Sequence, residues 1–166
     1  MKVRVKDPRA FGRVAVLMGG WSSERQVSLW SGEAVHAALV RRGVDALAVD
    51  ASREKILSLR SQGVERAFIV LHGPGGEDGV TQAALELQGI TYTGSGVAAS
   101  AIKMDKVAAK RLWRAEGLPT ADFRVLRSDA DAKAAAKVFG FPFVIKPSAE
   151  GSSVGVTIVK KSAHVV

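Results

Sequence analysis

The feature that most constrains this chain is the alternation of short apolar runs with segments of helical periodicity. The runs rich in branched side chains are residues 13–18, 44–49 and 66–71, and the helical segments that follow them are residues 22–43, 53–62 and 80–87. Strands separated by helices are joined by crossovers, which makes the sheet parallel and places helices on both of its faces. The amino-terminal part is therefore predicted to be an α/β domain with a parallel sheet.

The pattern changes after Tyr92. The elements predicted beyond it are a long helix over 97–115, a short strand at Val125, an alanine-rich helix over 129–139 and two paired strands over 142–146 and 156–160. A domain boundary is therefore predicted near Gly94, with residues 1–94 forming the first domain and residues 95–166 an α+β domain. Residues 162–166 are predicted to begin a further helix.

Composition narrows the class of protein. The chain has no cysteine, which excludes disulfides and thiolate metal sites, and a mean hydropathy of +0.11 with 47% hydrophobic residues is typical of a globular protein. The basic amino-terminal end lacks the continuous apolar segment of a signal peptide, and no apolar run approaches the roughly 20 residues that span a bilayer. A soluble cytoplasmic protein is expected.

The formal charge of +8 raises the possibility of a polyanionic partner. Lysines and arginines are scattered, tyrosine occurs once, and no basic and aromatic stacking module is present. We interpret most of the excess as solvated surface and predict no nucleic-acid partner. The alternative, a nucleic-acid binder, rests on charge alone and predicts an affinity that falls steeply with salt.

Two glycine-rich loops follow predicted strands. Residues 19–25 contain Gly-Gly and place Glu24 in the first helical turn, where Ser22 or Ser23 is the expected cap, and residues 72–79 combine a histidine, four glycines and two carboxylates. Ligands of parallel sheets gather at the carboxyl ends of strands, so both loops are candidate binding loops. The alternatives are a turn followed by a helix acid for the first loop and a metal site for the second, although one histidine beside two carboxylates lacks a dedicated ligand spacing.

A third glycine-rich loop, residues 147–155, follows Lys146 at the end of a predicted strand. Its small residues leave backbone N–H groups accessible to phosphate oxygens, although the Gly-Lys-Ser/Thr ending of a Walker A loop is absent. A simple hairpin connection explains the glycines but not the lysine. Lys106, considered by itself, is expected to be a solvated surface charge.

Five segments in this order resemble the motifs of the D-alanine–D-alanine ligase family of ATP-grasp enzymes. They are residues 19–29, 71–79, 92–96, 104–106 and 145–155. The resemblance implies an amino-terminal Rossmann-like (pre-ATP-grasp) domain, here residues 1–94, followed by part of the α+β ATP-grasp central domain. It also implies that the family's carboxyl-terminal domain, with its adenine clamp and magnesium ligands, is absent from this chain.

What the resemblance implies for chemistry is the joining of two D-alanines at the expense of ATP, through an acyl phosphate, for peptidoglycan precursor synthesis. In matching motifs Glu24 holds the ammonium of the first D-alanine, Ser152 supports that orientation and His72 lines the substrate side. These three are the expected catalytic residues.

The resemblance likewise implies an ATP-binding set. Lys106 and Lys146 neutralise phosphate charge, and the backbone of Ser152 and Ser153 covers the transferred phosphate. Mg²⁺ is expected with ATP, its ligands lying in the carboxyl-terminal region, and no residue of this chain is predicted to bind a metal. A homodimer is expected of the full-length protein.

Two positions depart from the family pattern, Gln26 where many members have glutamate and Pro74 where many have arginine. Because so much of the site lies in the absent domain, the chain alone is expected to be inactive and to expose apolar surface. The alternatives are another ATP-grasp ligase, such as one that joins D-alanine to D-lactate or D-serine, and a binding module of the same fold without catalysis.

Overall fold

The computed structural model describes residues 7–161 and divides into two compact units, Met1–Ile102 and Lys103–Val166. The first unit extends past Gly94, near which the sequence predicts a domain boundary. It does so because the segment after Gly94 packs on the first unit, where the backbone carbonyl of Val97 lies 2.8 Å from the place a Cβ of Gly79 would occupy.

The first unit alternates strands and helices. In chain order its elements are β1 (Val14–Met18), α1 (Arg25–Arg41), β2 (Ala46–Asp50), α2 (Arg53–Leu57), β3 (Arg66–Ile69), α3 (Val80–Leu87), β4 (Thr91–Tyr92) and most of α4 (Val97–Met104), with 3₁₀ turns at Pro8–Phe11 and Arg60–Gln62. The strands form one sheet in the order β2-β1-β3-β4, and every neighbouring pair is parallel. The predicted parallel α/β class is therefore confirmed.

Strand β1 lies between β2 and β3, and all of its residues are buried. Its side chains belong to the run of branched residues that predicts the strand, and Leu17 is completely buried within the apolar core. Continuous apolar runs are typical of strands covered on both faces. Because β1 is central, the loops that leave β1 and β3 lie side by side at one edge of the sheet.

The residues that helix α1 buries most completely are small, and two of its large apolar residues are exposed. Ser28 and Gly32 are buried, whereas Val27 is 46% exposed and Trp30 is 63% exposed. A Cβ on Gly32 would lie 2.3 Å from the Cβ of Met18, so the helix approaches β1 too closely for a larger side chain. The apolar spacing correctly predicts the helix but does not identify its buried face.

The long helix predicted over 97–115 is two helices, α4 and α5 (Lys106–Ala115). Asp105 separates them with extended backbone angles, φ −83° and ψ 101°, and its carboxylate accepts hydrogen bonds from the amides of Val107 at 2.8 Å and Ala108 at 3.2 Å. A side chain that caps the following helix in this way replaces the helical bonds that a continuous helix would need. The prediction of a single helix was therefore wrong.

The second unit continues with α6 (Asp129–Phe139) and the antiparallel strands β5 (Phe143–Ile145) and β6 (Thr157–Val159). The alanine-rich helix and the strand pairing are as predicted, but no strand forms at Val125. The predicted helix start at 162–166 lies outside the described residues. Among the helices that are described, none has the length and apolar content needed to cross a bilayer.

Candidate functional site

Two loops meet at the carboxyl edge of the parallel sheet. The Ser22 hydroxyl, after β1, donates to the carbonyl of His72, after β3, at 2.7 Å, and its oxygen accepts from the amide of Glu24 at 3.2 Å. One turn further along α1, the Ser28 hydroxyl donates to the carbonyl of Val70 at 2.7 Å. The two serines therefore fix the start of α1 against the second loop, and Ser22 does so instead of capping α1, whose N-cap residue is Glu24.

Glu24 is buried beside the second loop. Its side chain is only 5% exposed, and a Cβ on Gly73 would lie 2.8 Å from Oε1 of Glu24. Gly73 has a φ of +67°, a conformation that glycine adopts without steric cost. The backbone conformation thus favours glycine at this position, and the absence of a Cβ leaves room for the carboxylate packed against it.

His72 and Glu24 lie at the same edge of the sheet. The ring of His72 is partly buried, and its buried Nε2 has no hydrogen-bond partner among the described residues. A narrow crevice between the two loops is lined by His72, Trp21 and Pro74 together with glycines of both loops, and it has no room for a water molecule. A buried polar atom without a partner is a candidate contact for a polar group of a ligand.

The carboxylates of the second loop stabilise the loop itself. Gly73 donates its amide to Glu77 at 3.1 Å, and Asp78 accepts from the amides of Gly75 at 2.7 Å and Val80 at 3.1 Å. The metal-site interpretation gains no support, since no group of three histidines, aspartates or glutamates comes together among the described residues. Part of the motif that the sequence offers as a ligand site therefore has a structural role.

An ion pair that sequence reasoning missed lies at the neighbouring strand end. Arg25 donates to both carboxylate oxygens of Asp50 at 2.6 Å, and these hydrogen bonds hold the pKa of Asp50 below its usual value and raise that of Arg25. The pair lines an open cleft of about 520 Å³ together with Trp21 and Arg53, whose guanidinium lies 5.5 Å from the Trp21 ring centre. The available signal was the position of Asp50, at the carboxyl end of β2.

In the second unit the third glycine-rich loop has a backbone that few non-glycine residues adopt. Ser152 and Ser153 have φ angles of +44° and +65°, in the left-handed region that costs non-glycine residues roughly 1–2 kcal/mol each. The loop closes on itself, since a Cβ on Gly155 would lie 2.8 Å from Cγ of Pro147. Backbone of this kind concentrates at functional sites.

Both predicted phosphate lysines belong to this unit. Lys146 follows β5 directly and is exposed to solvent. Lys106 is the first residue of α5, and its amide donates to the carbonyl of Ser148 at 2.9 Å. Its ammonium donates to the same carbonyl at 3.4 Å and also to the carbonyl of Glu150. Lys106 is therefore not the solvated surface charge that chemistry alone predicts, because it binds the glycine-rich loop.

Comparison with known proteins identifies relatives over nearly the whole chain. The family model described as D-ala D-ala ligase C-terminus matches residues 112–165. The curated D-alanine–D-alanine ligase of Stutzerimonas stutzeri is 53% identical over 161 residues, which cover 97% of this chain and 51% of the relative.

Solved structures agree with the sequence relatives. The D-alanine–D-alanine ligase from Bacillus anthracis matches with a TM-score of 0.79 and 38% identity, over 92% of this chain and 51% of that structure. The structure of that ligase complexed with ATP matches with a TM-score of 0.70 and 34% identity, over 92% of this chain and 52% of that structure. The chain thus spans about half the length of the relatives that it matches.

Proposed function

Because the chain belongs to the D-alanine–D-alanine ligase family, we propose that it supplies the first-substrate site and the phosphate loop for ATP-dependent formation of D-alanyl-D-alanine, a step of peptidoglycan precursor synthesis. The observation that carries this proposal is the burial of Glu24 against Gly73 at the carboxyl edge of the sheet. A carboxylate withdrawn from water binds a cationic group more strongly than an exposed one does.

The substrate residues of the proposal lie in the first unit. Glu24 binds the ammonium of the first D-alanine, and the hydrogen bond from Ser22 to the His72 carbonyl keeps the two loops together around it. His72 lines the substrate side of the site, where its buried Nε2 has no hydrogen-bond partner among the described residues and is the atom proposed to meet a polar group of the ligand. Positioning the amino acid in this way fixes its carboxylate for phosphorylation.

The nucleotide residues of the proposal lie in the second unit. ATP, when bound, supplies the phosphoryl group that turns the D-alanine carboxylate into an acyl phosphate with a good leaving group. The residues present fit a polyphosphate, since Lys106 and Lys146 supply positive charge at a loop whose Ser152 and Ser153 carry backbone N–H groups in a constrained turn.

Three finer statements belong to the same proposal. Mg²⁺ accompanies ATP, and the described residues contain no cluster of three histidines, aspartates or glutamates that would hold it. The full-length protein is a homodimer, and it acts in the cytoplasm. Each follows from the family resemblance and is open to direct measurement by metal dependence, sedimentation and cell fractionation.

A chimera tests the proposed activity. We would replace the corresponding half of the Stutzerimonas stutzeri ligase with this chain and measure D-alanine-dependent phosphate release and D-alanyl-D-alanine formation, with the 166-residue chain alone in parallel. The chimera is expected to be active and the chain alone inactive. Glu24→Gln should lower kcat/KM by about 100-fold or more, because removal of one buried charged partner costs about 3 kcal/mol or more.

Glu33→Gln is the matched control, since Glu33 is an exposed carboxylate on the same helix and should leave the activity unchanged. A folded chimera that binds ATP without forming the dipeptide would contradict the proposal and favour a non-catalytic binding module. A chimera that accepts D-lactate or D-serine in place of the second D-alanine would identify a different ligase of the same fold.

A further inference from the structure

Lys106 makes three hydrogen bonds to one segment of chain. Its amide donates to the carbonyl of Ser148 at 2.9 Å, and its ammonium reaches the carbonyls of both Ser148 and Glu150. These carbonyls belong to the loop 147–155, more than forty positions away in sequence. The start of α5 is thereby attached to the first half of the loop by main-chain and side-chain contacts together.

The chemistry of these contacts differs from that of phosphate binding. An ammonium group carries three donors and no acceptor, so it can donate to neutral carbonyl oxygens as well as to phosphate oxygens. By holding the carbonyls of residues 148 and 150, Lys106 restricts the backbone from which the loop's N–H groups project. The effect is present without any nucleotide.

The loop needs such support because of its backbone. Ser152 and Ser153 both have positive φ, and two turns follow each other within the loop, closed by bonds from the Val154 amide to the Gly151 carbonyl at 3.0 Å and from the Val156 amide to the Ser153 carbonyl at 3.2 Å. An unfavourable backbone conformation of this kind is maintained only where several contacts from the surrounding structure hold it in place. The Lys106 contacts provide part of that support.

We propose that Lys106 is a positioning residue that holds the loop 147–155 in its binding conformation through the carbonyls of Ser148 and Glu150 before a nucleotide arrives. The nucleotide part of this inference rests on the proposed function, whereas the attachment of the loop does not. Loss of the Lys106 side chain then weakens nucleotide binding indirectly, by loosening the loop, in addition to removing a positive charge.

Lys146 offers a matched comparison. It is a second lysine at the same loop, it is exposed, and within the described part of the chain the side-chain donors to the carbonyls of Ser148 and Glu150 come from Lys106 and not from Lys146. If both lysines only neutralised phosphate charge, methionine at either position would weaken nucleotide binding and leave the unliganded loop unchanged. If Lys106 positions the loop, the two variants differ even when no nucleotide is present.

Amide hydrogen exchange on the 166-residue chain without nucleotide separates these outcomes. Lys106→Met should accelerate exchange in the segment 148–156 by about tenfold or more, the ratio that corresponds to the loss of a charge-assisted hydrogen bond. Lys146→Met should leave exchange in that segment within about twofold of the unaltered chain. Lys106→Arg, which keeps a cationic donor, should restore most of the protection.

Unchanged loop exchange in Lys106→Met would overturn the proposal and leave Lys106 as a phosphate ligand only. Exchange in α6 reports whether Lys106→Met has unfolded the unit. In that event ¹⁵N-lysine spectra of the unaltered chain decide the matter, because an ammonium held by two carbonyls exchanges its protons more slowly than the exposed Lys146. Equal rates would overturn the proposal.

A separate titration with ATP distinguishes failure of the proposed function from failure of the proposed role of Lys106. Faster loop exchange in Lys106→Met, in a chain that binds no ATP in any variant, would contradict the nucleotide assignment while supporting the attachment of the loop. Weaker ATP binding in both methionine variants, with faster loop exchange only in Lys106→Met, is the expected result.

Discussion

Two glycines determine how closely parts of the first unit approach each other. Gly73 leaves room for the Glu24 carboxylate, and Gly32 lets α1 approach the Met18 side chain on β1. Only the first has a positive φ, so the two glycines are required for different reasons, one for backbone conformation and one for space. The apolar residues Val27 and Trp30 predict α1, yet its buried surface depends on the absence of a side chain at position 32.

Gly32→Ala is therefore predicted to destabilise the first unit. Alanine is favoured over glycine in a helix by about 1 kcal/mol, but its Cβ would lie 2.3 Å from the Cβ of Met18. Because a Cβ is fixed by its own backbone, the contact can be relieved only by moving α1 or β1, and overpacking of this kind costs about 1–3 kcal/mol. The clash is expected to outweigh the propensity, and urea denaturation should show a net loss of up to about 2 kcal/mol.

Glu33→Ala, at the exposed neighbouring position, is the control and should change the free energy of unfolding by less than about 0.5 kcal/mol. Stabilisation by Gly32→Ala would mean that helix propensity governs position 32 and that the close packing against Met18 is not maintained in solution.

Individual site residues were predictable to different degrees. Glu24 and His72 lie in short motifs at strand ends, where topology alone brings them to one edge of the sheet. The roles of Glu77 and Asp78 were not predictable, because the sequence does not reveal that their carboxylates accept hydrogen bonds from amides of their own loop. Short-range hydrogen bonding thus gives a structural role to acidic residues that the motif alone offers as ligands.

At the level of elements, periodicity located helices and strands well, but it did not locate breaks between them. Residues 97–115 have continuous helical character, and the break at Asp105 depends on one side chain that binds the following amides of Val107 and Ala108. An aspartate is compatible both with an exposed helical position and with a cap, so the pattern favours neither. The cap matters for the site because it sets where α5 begins and hence where Lys106 lies.

Asp105→Ala is predicted to weaken the start of α5. The loss of both cap hydrogen bonds should lower the stability of the second unit by about 1 kcal/mol, whereas Asp105→Asn, which keeps an acceptor oxygen, should lower it by less. Amide exchange at Val107 and Ala108 provides the local measurement, and thermal denaturation the global one.

The exposed Asp129, in the first turn of α6, gives a comparison within the same unit, since Ser128 and not Asp129 is the N-cap residue there. Asp129→Ala should cost less than Asp105→Ala. Equal effects at both positions would indicate a general charge effect at helix starts instead of a specific cap at Asp105.

For the whole molecule, the sequence predicted the class of fold, whereas its domain boundary near Gly94 stays a prediction. Parallel topology follows from the alternation of elements, which is a property of the chain as a whole. The attachment of the loop 147–155 to Lys106 was not predictable, since it joins residues distant in sequence through main-chain carbonyls, which carry no sequence signal. Which apolar side chains remain exposed to solvent likewise depends on packing, as the two-stranded sheet of the second unit shows.

The outer face of the β5–β6 sheet carries an apolar cross-strand pair. Val144 and Ile158 are opposite each other in the antiparallel register and are 48% and 57% exposed, whereas Val159 on the other face is completely buried. Apolar side chains that face solvent on a short two-stranded sheet favour self-association. The double variant Val144→Thr with Ile158→Thr is predicted to bind less of a hydrophobic dye and to remain monomeric at higher concentration than the unaltered chain.

The same double variant should change the free energy of unfolding by no more than about 1 kcal/mol, because threonine keeps β-branched geometry and the sites are already half in water. Val159→Thr, which places a hydroxyl in a buried site, should cost about 1–3 kcal/mol without lowering dye binding. Dye fluorescence and sedimentation across a concentration series measure the first effect, and urea denaturation the second. If the double variant instead proved as destabilising as Val159→Thr, Val144 and Ile158 would have to be part of a packed interior, and the outer face of this sheet would not be the surface through which the chain associates.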